Sequence, residues 1–218
     1  KGFAYKGDDG IYFDIAKSKE YGALASLEKR TETKSRIIGD SYDKENANDF
    51  ALWKFYKEED GNVFWNAPFG KGRPGWHIEC SAMSMKNLGE TIDIHTGGLD
   101  LIFPHHTNEI AQSEGVTDKK FVKYWMHSGF VNMENEKMAK SVGNIITLDE
   151  IIKNGFSPIS YRYFLLGIHY RKQTNFSWDA ISGAQNAIEK LYAKFLDLGE
   201  ILGDVNTNLK EKFVNALE

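Results

Sequence analysis

The chain has 218 residues, 41% hydrophobic and 27% charged, a globular composition large enough for one sizeable core or two small ones, which excludes a disordered, collagen-like or disulfide-scaffold protein. Its formal net charge of −4, from 27 Lys and Arg against 31 Asp and Glu, argues against a protein that coats nucleic acid by bulk electrostatics, while local basic patches stay open. No apolar run approaches the roughly 20 residues that span a bilayer, the N-terminus lacks a secretion-signal layout, and the single cysteine, Cys80, cannot form an internal disulfide, so a cytoplasmic protein with no membrane partner is expected.

The chain carries no initiator Met and opens inside a hairpin pattern, and it is read as a piece of something longer. Phe3-Ala4-Tyr5 and Ile11-Tyr12-Phe13-Asp14 flank an Asp9-Gly10 turn, which predicts two paired strands. Lys17 to Asn48 is charged and weakly periodic, a surface excursion that ends at the apolar cluster Phe50, Leu52, Trp53 and Phe55. Trp76 to Leu88 has a helix pattern stopped by Gly89, and Thr91 to His95 is a β-branched strand running into Gly97-Gly98. Pro104 opens a second helix from His105 to about Glu114, and Phe121 to Met133 is again strand-like. This alternation predicts a parallel α/β sheet, with ligands at the carboxyl ends of its strands. Beyond about residue 145 the chain reads as helical: Thr147 to Glu150 is a capping box, Ser157-Pro158 starts another helix, and Ser177 caps a long one. The stripe Ile181, Ala184, Ile188, Leu191, Phe195 and Leu198 on that last helix needs a partner.

Five of the six histidines, His77, His95, His105, His106 and His127, fall in the stretch that also holds Cys80. His105 and Glu109 are i and i+4 on one helix face, so both can reach one metal ion, and Cys80 would add a soft ligand, leaving a tetrahedral zinc site one ligand short. The bland alternative is a buried small cysteine and a solvated His–Glu pair. Gly97-Gly98-Leu99-Asp100 sits where a strand hands over to a helix, a place that can offer backbone N–H groups and a carboxylate to a nucleotide, or merely a tight turn. Lys137 and Lys140, in a segment bearing Gly143 and Asn144, could neutralise a departing pyrophosphate or simply form a solvated basic loop.

Taken together, Gly75-Trp76-His77-Ile78-Glu79-Cys80-Ser81, Gly97-Gly98-Leu99-Asp100 followed by Phe103-Pro104-His105-His106-Thr107-Asn108-Glu109-Ile110-Ala111-Gln112-Ser113-Glu114, then Tyr124-Trp125-Met126-His127, then Lys137-Met138-Ala139-Lys140-Ser141 resemble the cysteinyl-tRNA synthetase family in order and spacing. The resemblance runs from about Lys1 to Phe195. It implies the second half of a Rossmann-type class I synthetase catalytic core, of α/β class, that forms cysteinyl adenylate from cysteine and ATP with Mg2+ and then esterifies tRNA(Cys). It further implies one zinc per subunit, which selects the cysteine thiolate over serine's oxygen. Position by position, it makes Cys80, His105 and Glu109 zinc ligands and Trp76 a wall of the cysteine pocket. His95 and His106 would stand near the metal. Asp100 and Gly98 would serve ATP, with Lys137 and Lys140 as the catalytic lysines and Lys140 the one that contacts ATP.

In the family's terms, residues 1–60 are a connective insertion and 61–135 the half-core with the zinc site. Residues 136–176 are then the lysine loop with stem-contact helices, and 177–218 begin a helical anticodon-binding region. Arg162, Arg171 and Lys172 could face the acceptor stem. Two departures stand out: Ala139 replaces the signature's middle serine, and Thr107 stands where the family often has Glu. The His-x-Gly-His motif and the fourth zinc ligand are absent from these residues, so the chain alone is expected to be inactive, and a monomer is expected. The alternatives are the related cysteine ligase of mycothiol synthesis and a non-catalytic zinc- or RNA-binding fragment.

Overall fold

The computed structural model describes residues 1–26, 49–133, 136–137, 145–198 and 206–216. They fall into two compact units, Lys1–Phe130 with Tyr170–Lys172, and Val131–His169 with Gln173–Glu218.

In the first unit the Asp9-Gly10 turn closes the predicted hairpin. Strands β1 (Ala4–Lys6) and β2 (Gly10–Phe13) pair antiparallel, and Gly7 N donates to Gly10 O at 2.9 Å. Most of the stretch expected as a surface excursion, residues 27–48, lies outside the described residues; the apolar cluster that follows is β3 (Phe50–Phe55), and β4 (Trp65–Ala67) with β5 (Gly70–Pro74) completes a sheet in the order β1-β2-β3-β5-β4. The β4–β5 hairpin has no clean alternation to announce it. Cross-strand packing shapes it: Lys71 Nζ lies 3.5 and 3.7 Å from the ring centroids of Tyr56 and Phe64, and a Cβ on Gly72 would come within 2.6 Å of Trp53 Nε1.

Helix α1 (Trp76–Leu88) starts hard against β3. Gly75 N donates to Leu52 O at 2.9 Å, and a Cβ at position 75 would fall 1.9 Å from Ala51 O, so only glycine lets the helix begin this close to the sheet. Strands β6 (Ile92–Gly98) and β7 (Val122–Ser128) run parallel, paired from Ile92 with Val122 to Gly98 with Ser128, and α2 (Thr107–Thr117) connects them as the alternation predicts. The second helix is less regular than a start at His105 implies. Phe103 is extended (φ −136°, ψ 131°) because the residue before a proline is pushed out of the helical region, so Ile102–His106 forms a wide turn and α2 proper begins at Thr107.

Two apolar clusters hold these layers together. Phe13, Phe50 and Ala111 join the five-stranded sheet to α2, with Phe3, Ile15, Tyr21 and Leu52 around them. Ile92, Phe121 and Val122 join β6 and β7 to Met85 of α1 and Ile110 of α2. Fully buried side chains of this size contribute roughly 1.5–3 kcal/mol each.

In the second unit, β8 (Val131–Met133) pairs parallel with β10 (Thr174–Phe176) and antiparallel with β9 (Glu136–Lys137). The strand run expected from Phe121 to Met133 is therefore two strands, interrupted at Gly129, whose N–H turns away to donate to Tyr170 O at 2.7 Å. The caps act as read: Thr147 and Glu150 form the capping box of α3 (Leu148–Lys153), Ser157 caps α4 (Pro158–Leu166), and Ser177 caps α5 (Trp178–Asp197). A further helix, α6 (Thr207–Asn215), is capped by Asn206. Ile151, Phe176 and Ile181 form this unit's core with Phe156, Phe164 and Trp178. Of the α5 stripe, Ile181 and Ala184 are buried while Leu191, Phe195 and Leu198 are exposed.

Candidate functional site

The first turn of α1 and the turn leading into α2 meet at one point. From α1 come Trp76, His77 and Cys80; from the α2 side come His105, His106 and Glu109; from β6 and β7 come His95, Trp125 and His127. Glu109 is at the centre and is fully buried. Its Oε2 accepts a hydrogen bond from His95 Nε2 at 3.0 Å, whereas Oε1 lies 2.9 Å from His105 Nε2 yet takes part in no hydrogen bond. Burial alone would raise the carboxyl's pKa, but His105 and His95 beside it outweigh that and hold it down at about 2. A buried carboxylate oxygen whose neighbour is an imidazole nitrogen at ion-pair distance, without hydrogen-bond geometry, is costly unless a proton or a cation lies between them, which makes that oxygen informative.

The donor atoms of Cys80, His105 and Glu109 lie within 4.8 Å of one another. His105 Nδ1 and His77 Nδ1 share a hydrogen bond at 2.9 Å, and the tautomer with the His105 proton on Nδ1 leaves a lone pair on Nε2, beside the orphaned oxygen. Burial, then the charges of Glu109 and Glu79, push the Cys80 thiol up, so without a cation it holds its proton. Thiol, imidazole and carboxylate with donor atoms this close form a donor set that fits a divalent ion of zinc's preferences. Trp76, 59% exposed, stacks on His105 with ring centroids 4.4 Å apart and forms an open wall beside the cluster.

Behind this set lies a second histidine layer. Glu109's hydrogen bond raises the pKa of His95, whose ring stacks on Trp125 at 4.5 Å. His106 Nδ1 bonds to His127 Nε2 at 2.8 Å, and burial, with His95 nearby, pushes His106 down to about 4 and keeps it neutral. Its ring occupies the space beside Gly97, where a Cβ would lie 2.5 Å from Cε1. His95, His106 and Glu109 also have donor atoms within 4.8 Å of one another, so Glu109 belongs to both groups through its two oxygens.

Gly98 ends β6 and Asp100 follows in a short turn, exposed at the carboxyl end of the strand. A Cβ on Gly98 would strike Asp100 Oδ1, so the glycine lets this carboxylate fold back over the backbone. Lys137 lies in β9, paired with Asn132, and Lys140 lies outside the described residues. Arg162, Arg171 and Lys172 are exposed. The roles of His77 and His127 as partners of His105 and His106 carry no signal in spacing, since each contact spans more than twenty residues.

A model of the tRNA synthetases class I (C) catalytic domain matches residues 1–186. A cysteine–tRNA ligase of Brachyspira hyodysenteriae is 48% identical over all of this chain and 46% of its own length. One from Caldicellulosiruptor saccharolyticus is 46% identical, over 100% of this chain and 49% of its own length, and one from Thermococcus onnurineus is 49% identical over 88% and 40%. The chain thus spans about half the length of the curated relatives it matches.

Proposed function

Because the chain belongs to the family of class I (C) tRNA synthetase catalytic domains, we propose that it is the metal-bearing half of the active site of a cysteine–tRNA ligase. The observation that carries this reading is the convergence of Cys80, His105 and Glu109 around an oxygen with no hydrogen bond, under the exposed face of Trp76. The reaction joins the cysteine carboxylate to the α-phosphate of Mg2+-bound ATP with loss of pyrophosphate, then passes the acyl group to a hydroxyl of the 3′-terminal adenosine of tRNA(Cys) with release of AMP, in the cytoplasm.

Bound zinc would be held by Cys80, His105 and Glu109 and would favour a substrate sulfur over the oxygen of serine, a distinction that an apolar pocket makes poorly. The chain's own residues supply the rest. Trp76 walls the amino-acid pocket, His77 fixes the ring of His105, and His95 holds Glu109's other oxygen, so that the donors are oriented before a cation arrives. Neutral His106 adds no repelling charge beside them. Gly98 and Asp100 receive the adenosine side of ATP at the end of β6, as strand ends do in open α/β sheets. Lys140, with Lys137, opposes the charge that develops on the pyrophosphate. In this reading residues 61–135 hold the metal, 136–176 the lysine loop and the surface toward the acceptor stem, and 177–218 begin the helical anticodon region, with residues 1–60 as insertion.

The deciding experiment is cysteine-dependent ATP–pyrophosphate exchange, with zinc quantified on the same sample, for this chain and for a form with the full length of its relatives. Exchange with about one zinc per chain in the longer form supports the ligase. Zinc binding without exchange in either form would leave a non-catalytic metal module instead.

A further inference from the structure

Cys80 and Glu109 come from different helices, so the distance between their donor atoms depends on how α1 and α2 pack. The contact beside them is made of polar side chains with almost no exposure. Ser81, next to Cys80, is 1% exposed, and Ser113, one turn beyond Glu109 on the same face of α2, is 0% exposed. Their hydroxyls bond at 2.9 Å. Gln112 Nε2 donates to Ser81 Oγ at 2.6 Å and to His77 O at 2.7 Å, reaching the first turn of α1 that carries Trp76, His77 and Cys80. Three hydrogen bonds therefore cross the helix pair within a turn of both donors.

An apolar contact would be the cheaper way to join two helices. This one leaves Gln112 Oε1 buried with no partner, a lasting penalty. Directional bonds define the spacing and rotation of the helices, whereas dispersion contacts tolerate sliding. Neither helix can slide along the other without breaking one of these bonds.

We propose that Ser81, Gln112 and Ser113 are positioning residues that set the span between Cys80 and Glu109, and through it the affinity and geometry of the metal site. This rests on the metal reading above. They touch no reactant and act through the two helices.

The test is titration with Co2+ of the form with the full length of its relatives, since a bond from cobalt to a thiolate gives a charge-transfer absorption band sensitive to geometry. Ser81→Ala, Ser113→Ala and Gln112→Met are each expected to weaken cobalt binding by about tenfold to a hundredfold and to shift the band at saturating cobalt. The double variant Ser81→Ala/Ser113→Ala should be no worse than Ser81→Ala, which already removes the bond that Ser113→Ala removes, together with the one from Gln112. Ile151→Val, in the core of the other unit, should lower stability and leave affinity and band unchanged, which separates positioning from general weakening. If a serine variant does not fold, Gln112→Met decides, since it keeps the side-chain volume. Wild-type affinity and band in the folded variants would overturn the proposal. A full-length wild-type protein with no thiolate–cobalt band would instead overturn the metal reading, and this inference with it.

Discussion

Glu109 Oε1 and His105 Nε2 stand 2.9 Å apart with no hydrogen bond between them. The carboxylate's other oxygen has a conventional partner in His95, so the missing bond is particular to the side that faces His105. In a fully buried carboxylate such an oxygen is destabilising unless something else satisfies it. A cation shared with the imidazole and the thiol, as proposed, would do so.

Removing either anionic ligand should therefore remove the metal. Cys80→Ser and Glu109→Gln are each expected to reduce zinc retained after dialysis by about tenfold or more, and cysteine activation in the full-length protein should fall with it. Atomic absorption on the dialysed chains reads the first. Undiminished zinc in both variants would show that this cluster is not the ligand set.

His106 is locked between His127 and the bare backbone of Gly97. Gly97→Ala places a methyl group where the ring now lies, and the ring or the strand must move. The expected cost is about 1–3 kcal/mol, seen as a lowered thermal midpoint, with loss of the His106–His127 bond in the imidazole resonances. An unchanged midpoint would mean that the ring relocates freely.

Lys140→Ala should separate binding from chemistry. If its charge meets the leaving pyrophosphate as proposed, its deletion should slow adenylate formation by roughly a hundred- to a thousandfold in the full-length protein, while zinc content stays at the wild-type level. Exchange kinetics that match the wild type would return this lysine to an ordinary solvated loop.

The second unit depends on a small core in which Ile181 of α5 is fully buried against Ile151 and Phe176. Ile181→Ala is expected to destabilise that unit by about 2–5 kcal/mol, measured as a lower urea midpoint of helical circular dichroism. Leu196→Ala, on the exposed end of the same helix at 78% accessibility, should shift the midpoint little.

Much of this protein was legible in its residues because the signals are local. The Asp9-Gly10 turn, the caps at Thr147, Ser157 and Ser177, and the i, i+4 spacing of His105 and Glu109 each act within a few positions, so the chain order alone specifies them. The motif order likewise pointed to the family before any fold was in view. The late start of α2 likewise follows from the local effect of Pro104 on Phe103, but two things needed the tertiary structure. Lys71 of β5 lies over the rings of Tyr56 and Phe64, and the strand run after Phe121 divides at Gly129 because Tyr170 captures its amide. The same holds for the site's interior. That His77 orients His105, that His95 satisfies only one of Glu109's oxygens, and that Ser81 meets Ser113 are matters of how two helices and a strand pack, between residues 14 to 32 positions apart. Local propensity fixes which face a side chain leaves from, and only packing decides what it meets.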